Sequence, residues 1–375
     1  MITKAGKTQH VAARSKALII CEAGVNHNGS EDLALQLIDA AADAGADIVK
    51  FQTFRAAQMV SAAAPKAAYQ DRNAPEAASQ LELLQKLELP IAAYPALLAR
   101  CAKRGIEFLS TPFDLDSLRF LVGELGLARI KVSSGDVTNA PLLLEMARSG
   151  ADIIVSTGMC SLGEIEDTLG VLAFGYLDDA KTGAGQPNRH SFAAAYRSDA
   201  GRSLLAAKVT LLHCTSDYPA QPADVNLRAM DTLSQAFGLA TGYSDHTLGL
   251  SISLAAIARG ACVIEKHMTL DRDLSGPDHK ASLEPRDFAE LVRSIRAIEA
   301  ALGSTLKAPT EAELSTRQVA RKSIVAARPI AAGERFTTDN LTTKRVGGGI
   351  SPIEFWDLIG AVAPRDFAPD EAVSR

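Results

Sequence analysis

The chain has 375 residues, 47% of them hydrophobic and 22% charged, enough for roughly two or three globular domains. A formal net charge of −5, with 39 basic residues against 44 acidic, argues against a non-specific nucleic-acid binder, and no apolar run approaches the ~20 residues of a membrane helix. Five scattered cysteines without a CxxC pair read as reduced thiols of a cytoplasmic protein.

Residues 1–16 carry basic groups and no acid. They lack the apolar core of a secretory signal and read as a terminal extension. A first domain is expected over 17–305, opening with a strand at "ALIICEAG" (17–24). The next stretch repeats apolar residues at three- and four-residue intervals and stops at Gly45, as an amphipathic helix does. Further strands are expected at "ADIVKFQ" (46–52), "EFLST" (107–111), "RIKVSS" (129–134) and "IIVSTG" (153–158). A long polar stretch, 176–203, reads as a surface insertion with a flexible "GAGQPN" tip. Three more strands follow at "VTLLHCT" (209–215), "TGYSDH" (241–246) and "CVIEKH" (262–267). The last helix of the domain starts near Pro285, carries an apolar stripe from Phe288 through Ile295 to Leu302, and stops at Gly303.

Continuous Val/Ile/Leu runs mark strands buried on both faces, as in parallel sheets. Eight alternating βα units match the size and rhythm of an α/β (β/α)8 TIM barrel. The alternative is a doubly wound open sheet, but no GxGxxG or Walker motif accompanies these strands. A polar linker is expected at 306–318, then a small, turn-rich β domain over 319–375. That domain has little core of its own and is expected to pack on the barrel or on a partner subunit.

Polar residues stand at the C-terminal end of nearly every strand: Glu22, Lys50, Gln52, Ser110, Thr111, Lys131, Ser134, Ser156, His213, Ser244, Asp245, His246 and His267. In a barrel those ends converge on one mouth, where active sites lie. His246 and His267 end neighbouring strands, so two imidazoles are expected to share a divalent cation; such an N/O site suits Mn, Zn, Co or Fe. The alternative is two hydrogen-bonded core histidines. Lys50, Lys131, Ser110, Thr111, Ser134, Ser156 and Ser244 supply donors for a phosphate and a carboxylate. The lysines are equally suited to pairing with Glu22, Asp136 or Asp245, and both readings hold together. Glu22, a carboxylate among lysines, is the expected general base. A cation beside an anion cradle points to a phosphorylated carboxylic acid reacting with a carbonyl compound.

At this point "EAGVNHNGS", "VKFQTF", "LSTPFD", "KVSSGD", "STGM", "LLHCTSDYPA", "GYSDHTLG" and "EKHMTLDRDLSGPDHKASLEP" resemble the motifs of the N-acetylneuraminate (sialic acid) synthases and their legionaminate and pseudaminate relatives. The C-terminal "RKSIVAARPIAAGE" and "NLTTKRVGGG" resemble the antifreeze-like (SAF) domain of the same enzymes. The resemblance implies condensation of phosphoenolpyruvate with an open-chain N-acetylmannosamine-type sugar. The products would be N-acetylneuraminate, or a legionaminate or pseudaminate analogue, and phosphate. It implies Mn2+ on His246 and His267, with Mg2+ or Co2+ as alternatives, and Glu265 and Lys266 as supports of His267. Lys131, Thr111, Ser134, Ser156 and Ser244 would cradle phosphate and enolpyruvate, with Lys50 near the carboxylate. Gln52, Tyr218 and Asp278 would surround the sugar. Arg345 would reach the sugar from the SAF domain of the other subunit in a domain-swapped homodimer.

Asp136 stands where many members have Glu, and Ser216 where some have Asn. "QTF" and "PFDLDSL" look closer to the legionaminate branch. Two other readings compete: a metal-dependent hydrolase, which usually shows an HxH pair after its first strand, and a carbohydrate- or ice-binding protein. Only a single histidine, His27, stands after the first strand. A binder has no need of converging lysines and histidines.

Overall fold

A computed structural model describes residues 16–73, 75, 77–178 and 185–375. The terminal extension, except its last residue, and the first two residues of the "GAGQPN" tip lie outside the described residues. The described chain divides after Gly303 into two units.

The first unit is built on eight parallel strands: β1 (Leu18–Gly24), β2 (Ile48–Thr53), β3 (Glu107–Pro112), β4 (Arg129–Val132), β5 (Asp152–Ser156), β6 (Val209–Cys214), β7 (Ala240–Asp245) and β8 (Val263–His267). Their order, β3-β2-β1-β8-β7-β6-β5-β4, wraps the first and last strands together. β3 lies beside β4 and nearly closes the ring. This is the expected TIM-like barrel. Inside it, Ile20, Ile48, Leu109, Ile154, Leu212 and Val263 fill the lower lumen, so the interior is a packed plug with a floor and not a pore.

Helices coat the outside because their apolar stripes match the outward face of the strands. Ser30 caps the helix Glu31–Asp43 through its side chain, and Leu37, Ile38 and Ala41 are buried beneath it. In Pro285–Leu302 the buried residues are Phe288, Leu291, Val292 and Ile295; the expected stripe frays at its end, where Leu302 is exposed.

The stretch read as a surface insertion is part of the wall. Residues Arg189–Arg197 and Asp199–Lys208 are helices, capped by Asn188 and Ser198. They lie against the helix Leu162–Leu177. A Cβ on Gly170 would sit 3.1 Å from the Phe192 carbonyl oxygen, and the Phe174 and Phe192 rings pack edge to face at 5.3 Å. The polar composition hid a narrow stripe of Phe192, Ala195 and Leu205.

The second unit spans Ser304–Arg375. Part of the expected linker is a helix, Glu311–Ala320, started by a Thr310–Glu313 capping box and burying no residue. Beyond it β9 (Ser323–Ala326) pairs antiparallel with β10 (Leu341–Lys344), and single bridges such as Ile330 with Phe367 tie the turns together. Ile324, Phe336, Leu341, Leu358 and Phe367 form its own small core.

Candidate active site

Side chains alternate across a strand, so only every second residue of each strand end enters the lumen. This rule sorts the thirteen polar residues at the strand ends into two groups. Ser110, an expected substrate contact, instead turns outward: its hydroxyl lies 2.6 Å from Thr53 Oγ1, to which Tyr94 donates from the helical layer. His213 also faces out, against the Val225 carbonyl. Asp245 and Lys266 leave the lumen together and form an ion pair of 2.8 Å with both side chains at or below 1% exposure. Asp245 also takes the Ser253 hydroxyl, the Thr247 hydroxyl and the Thr247 N–H, while Lys266 donates to the Thr247 carbonyl. The pair welds β7 to β8 one residue before His246 and His267.

The residues pointing inward form a chain of alternating charges above the aliphatic floor. Lys50 Nζ stands 2.7 Å from Glu22 and 3.7 Å from Glu265, and Lys131 Nζ is 3.2 Å from Glu265. Thr111 accepts from Lys50, Ser244 donates to Glu265 at 2.8 Å, and Gln52 donates to Glu22. Two ammonium and two carboxylate groups, each no more than 4% exposed, lie in one layer. Such groups are tolerated only when partnered. Burial pushes Glu265 upward, but Lys131 and Lys50 outweigh it and hold its carboxyl well below the usual range. Burial dominates at Glu22, with Lys50 opposing, and raises it to about 7. Burial lowers Lys131, whereas Glu22 and Glu265 outweigh burial at Lys50 and raise it. Glu265 is the hub of this layer, and the sequence reading held it only as a support of His267. Its signal was available: it lies two residues before His267, on the same strand face.

A second cluster gathers over Gly158. Ser134 Oγ accepts the Gly158 N–H at 3.0 Å and lies 3.3 Å from Cys214 Sγ. A Cβ on Gly158 would fall 2.3 Å from Ser216 Oγ and 3.0 Å from both Ser134 Oγ and Cys214 Sγ. The absence of a side chain therefore leaves a small polar recess. Ser156, at the end of β5, is 4% exposed and its hydroxyl meets no partner among the described residues.

The two histidines meet at the mouth, with ring centroids 5.7 Å apart. His246 donates from Nδ1 to the Thr215 carbonyl at 2.7 Å, which leaves Nε2 as the basic nitrogen. His267 Nδ1 is buried without a hydrogen bond among the described residues, and Asp278 stands 4.0 Å from it. Burial drives His246 down to about 4 and His267 well below its ordinary value, so both rings are neutral. Burial raises Asp278 to about 6. Tyr218 covers the pair, 4.2 Å from the His246 ring and 5.8 Å from the His267 ring.

Asp136 stands outside the lysine–glutamate layer. Asp136 lies in the turn after β4, bonded to Asn139 Nδ2 at 3.1 Å, and burial raises its carboxyl. Its partner is thus an amide and not a lysine. Arg345 is exposed in the second unit.

Among the described residues no group of three or more His, Cys, Asp or Glu side chains is arranged to hold a metal, and no helix is long and apolar enough to cross a membrane.

Residues 37–307 match the NeuB family and residues 321–374 the SAF domain. The chain is 47% identical to N,N'-diacetyllegionaminic acid synthase of Campylobacter jejuni, over 96% of this chain and 99% of that protein. It is 43% identical to the enzyme of the same name from Legionella pneumophila, over 92% and 89%. A crystal structure of N-acetylneuraminic acid synthetase from Leptospira borgpetersenii, in complex with citrate, superposes with a TM-score of 0.63 at 34% identity, covering 80% of this chain and 90% of that one. The chain belongs to the NeuB family of nonulosonic acid synthases, phosphoenolpyruvate-dependent condensing enzymes, and carries a SAF domain after its barrel.

Proposed function

We propose that the protein condenses phosphoenolpyruvate with a 2,4-diacetamido-6-deoxy sugar of the mannosamine type, giving a legionaminate-type nine-carbon 2-keto acid and phosphate. The alternating layer of Lys50, Glu22, Glu265 and Lys131 beneath two neutral imidazoles carries the chemical part of the reading. The names of the relatives from Campylobacter jejuni and Legionella pneumophila, at 47% and 43% identity, favour the legionaminate branch. N-acetylneuraminate, the first expectation from sequence, becomes the second reading, supported by the likeness to the Leptospira synthetase.

In this reading Lys50 meets the carboxylate of phosphoenolpyruvate. Lys131, Thr111, Ser156, Ser244 and the recess of Ser134 and Ser216 take its phosphate. Gln52, Tyr218 and Asp278 line the sugar. The enol carbon forms a C–C bond with the sugar aldehyde, whose oxygen takes a proton. Positive charge develops at C2 of the pyruvyl unit. Glu22 orients a water and accepts its proton as the water adds there. The C–O bond to phosphate then breaks as the C2 hydroxyl gives its proton to the departing phosphate, leaving the 2-keto acid, and the proton held by Glu22 returns to solvent, replacing the one that the aldehyde oxygen took from it.

His246 and His267 fit a divalent cation, since burial disfavours the charged form of both and His267 Nδ1 is buried without a hydrogen bond among the described residues. Two nitrogens leave the remaining positions to water and substrate oxygens, and Mn2+ is the proposed ion, with Mg2+ or Co2+ as alternatives. When bound, the cation supplies Lewis-acid polarisation of the sugar carbonyl. A domain-swapped homodimer, with Arg345 serving the partner's barrel, and a cytoplasmic location beside the phosphoenolpyruvate pool complete the proposal.

The test is phosphate release from phosphoenolpyruvate with three sugars: N-acetylmannosamine, its 2,4-diacetamido-6-deoxy analogue and the pseudaminate precursor. The diacetamido manno sugar is expected to give a kcat/KM at least about tenfold above the others. Equal or better use of N-acetylmannosamine establishes the second reading. No phosphate release with any sugar overturns both.

A further inference from the structure

Asp278 sits on residues 268–282, a loop whose only β pairing is the single Met268–Leu283 bridge at its base. Something else must hold its carboxylate toward the mouth. Resting on the reading of Asp278 as a sugar-side group, we propose that the turn after β1, residues 26–28, is a clasp. Asn26 and Asn28 are then positioning residues for the sugar half of the reaction.

Three backbone oxygens flanking Asp278 are each taken by a side chain from elsewhere in the fold or the loop base. Asn28 Nδ2 donates to the Ser275 carbonyl at 2.9 Å, Asn73 Nδ2 to the Pro277 carbonyl at 2.8 Å, and Ser282 Oγ to the Asp278 carbonyl at 2.7 Å. Ser282 is held in turn by Asn26. That side chain, 2% exposed, spends both amide hydrogens on the loop, one on Ser282 Oγ and one on the Met268 carbonyl, each at 2.9 Å. Asn28 Oδ1 lies 3.3 Å from His279 Nε2, and the far nitrogen of the same buried ring lies 2.7 Å from Thr269 Oγ1.

Backbone geometry agrees on both sides of the clasp. Asn28 has φ +50, a left-handed conformation that asparagine tolerates. Gly276 has φ +149, and a Cβ there would fall 2.7 Å from the His279 ring and 2.9 Å from Asn28 Oδ1. The loop therefore closes on the clasp where only glycine fits. The hydrogen bonds of Asn28 and Ser282 join neither the lysine–glutamate layer nor the recess over Gly158. Loosening them moves the sugar wall and leaves the phosphoenolpyruvate side in place.

The experiment compares Asn28→Gly, which keeps the backbone conformation, Ser282→Ala, and Asp278→Ala, using the sugar that the wild type turns over fastest. Asn28→Gly and Ser282→Ala are each expected to raise KM for the sugar about tenfold or more, since small misplacements at a reacting centre are costly, while KM for phosphoenolpyruvate stays within about twofold. Asn28→Asp, which keeps the acceptor facing His279, is expected to recover part of the loss. A parallel rise of both KM values overturns the clasp, as does no change in either variant when Asp278→Ala does raise the sugar KM. If Asp278→Ala itself leaves the sugar KM unchanged, the sugar-side reading of Asp278 fails and the clasp falls with it.

Discussion

The two sides of the mouth are built by different means. Most of the proposed phosphoenolpyruvate side, Lys50, Thr111, Lys131, Ser156 and Ser244, stands on strands, where main-chain ladders fix each side chain in register, with Ser134 and Ser216 on the turns after β4 and β6; Glu22 lies opposite Lys50 on one neighbour and opposite His267 on the other. The proposed sugar side rests more on loops: beside Gln52 on β2, Tyr218 follows β6 and Asp278 follows β8, and side-chain hydrogen bonds hold the loop of the latter. A strand residue cannot change face without its whole strand slipping register. A loop residue moves with any small insertion. On the proposed reading, the reaction is written mostly on the strands and the choice of sugar mostly on the loops.

The largest break in this contrast is Glu265→Gln. It removes the anion between Lys50 and Lys131, at 3.7 and 3.2 Å, and leaves buried ammonium groups without it. The expected cost is ~3–5 kcal/mol of stability, the usual loss when one partner of a buried ion pair is deleted. Turnover should fall about 10³-fold, because both lysines lose their aim. Denaturant unfolding and phosphate release measure the two effects. An unfolding midpoint equal to the wild type would show that the layer is not a coupled unit.

His267→Ala comes next and lies where the two sides meet. Its loss should lower metal-dependent turnover roughly 10²–10³-fold, the scale of one Lewis-acid contribution. The fold, checked by circular dichroism, should persist. A variant that still binds and responds to Mn2+ as the wild type does shows that the cation is not held by His267, and the proposed metal assignment fails.

The same contrast explains what the sequence made legible. Runs such as "LIIC" and "DIIV" are apolar on both faces and admit little but buried parallel strands, so the barrel could be read directly. His246 and His267 could be paired because each ends its strand. Facing was harder. In "EFLST" both Ser110 and Thr111 are small and polar, and composition does not say which one looks inward; register does. Glu265 was overlooked as the hub because its meaning depends on Lys50 and Lys131, which are close only after the ring closes. The helices at 189–208 were hidden by a stripe too narrow to stand out from its polar setting, and the helix at 311–320 by having no buried face at all.

A smaller effect concerns protons on the strand side. Burial raises Glu22 to about 7. If its carboxylate accepts the proton of the attacking water, kcat should climb as pH rises through about 7, and Glu22→Gln should flatten that limb. The stability contribution runs the other way. A carboxyl raised in the folded state favours folding most below its unfolded value of ~4.3, and this is lost as pH rises through the folded one. Glu265, held low, contributes above ~4.3 and loses that contribution as pH falls. A pH–rate profile that keeps its limb in Glu22→Gln assigns the titration to another group.

The smallest expected effect gives the finest test, because it separates two adjacent residues on one strand. Ser110 Oγ is bonded to Thr53 and the Phe51 carbonyl in the outer layer, whereas Thr111 Oγ1 accepts from Lys50 inside the lumen. Ser110→Ala should cost ~1 kcal/mol of stability, one buried hydrogen bond, with KM for phosphoenolpyruvate within about twofold of the wild type. Thr111→Ala should do the reverse, raising that KM several-fold at little cost in stability, since Lys50 retains Glu22 and Glu265. If the two variants behave alike, the alternation of faces does not govern the mouth, and the division between strand-borne chemistry and loop-borne sugar choice loses its structural basis.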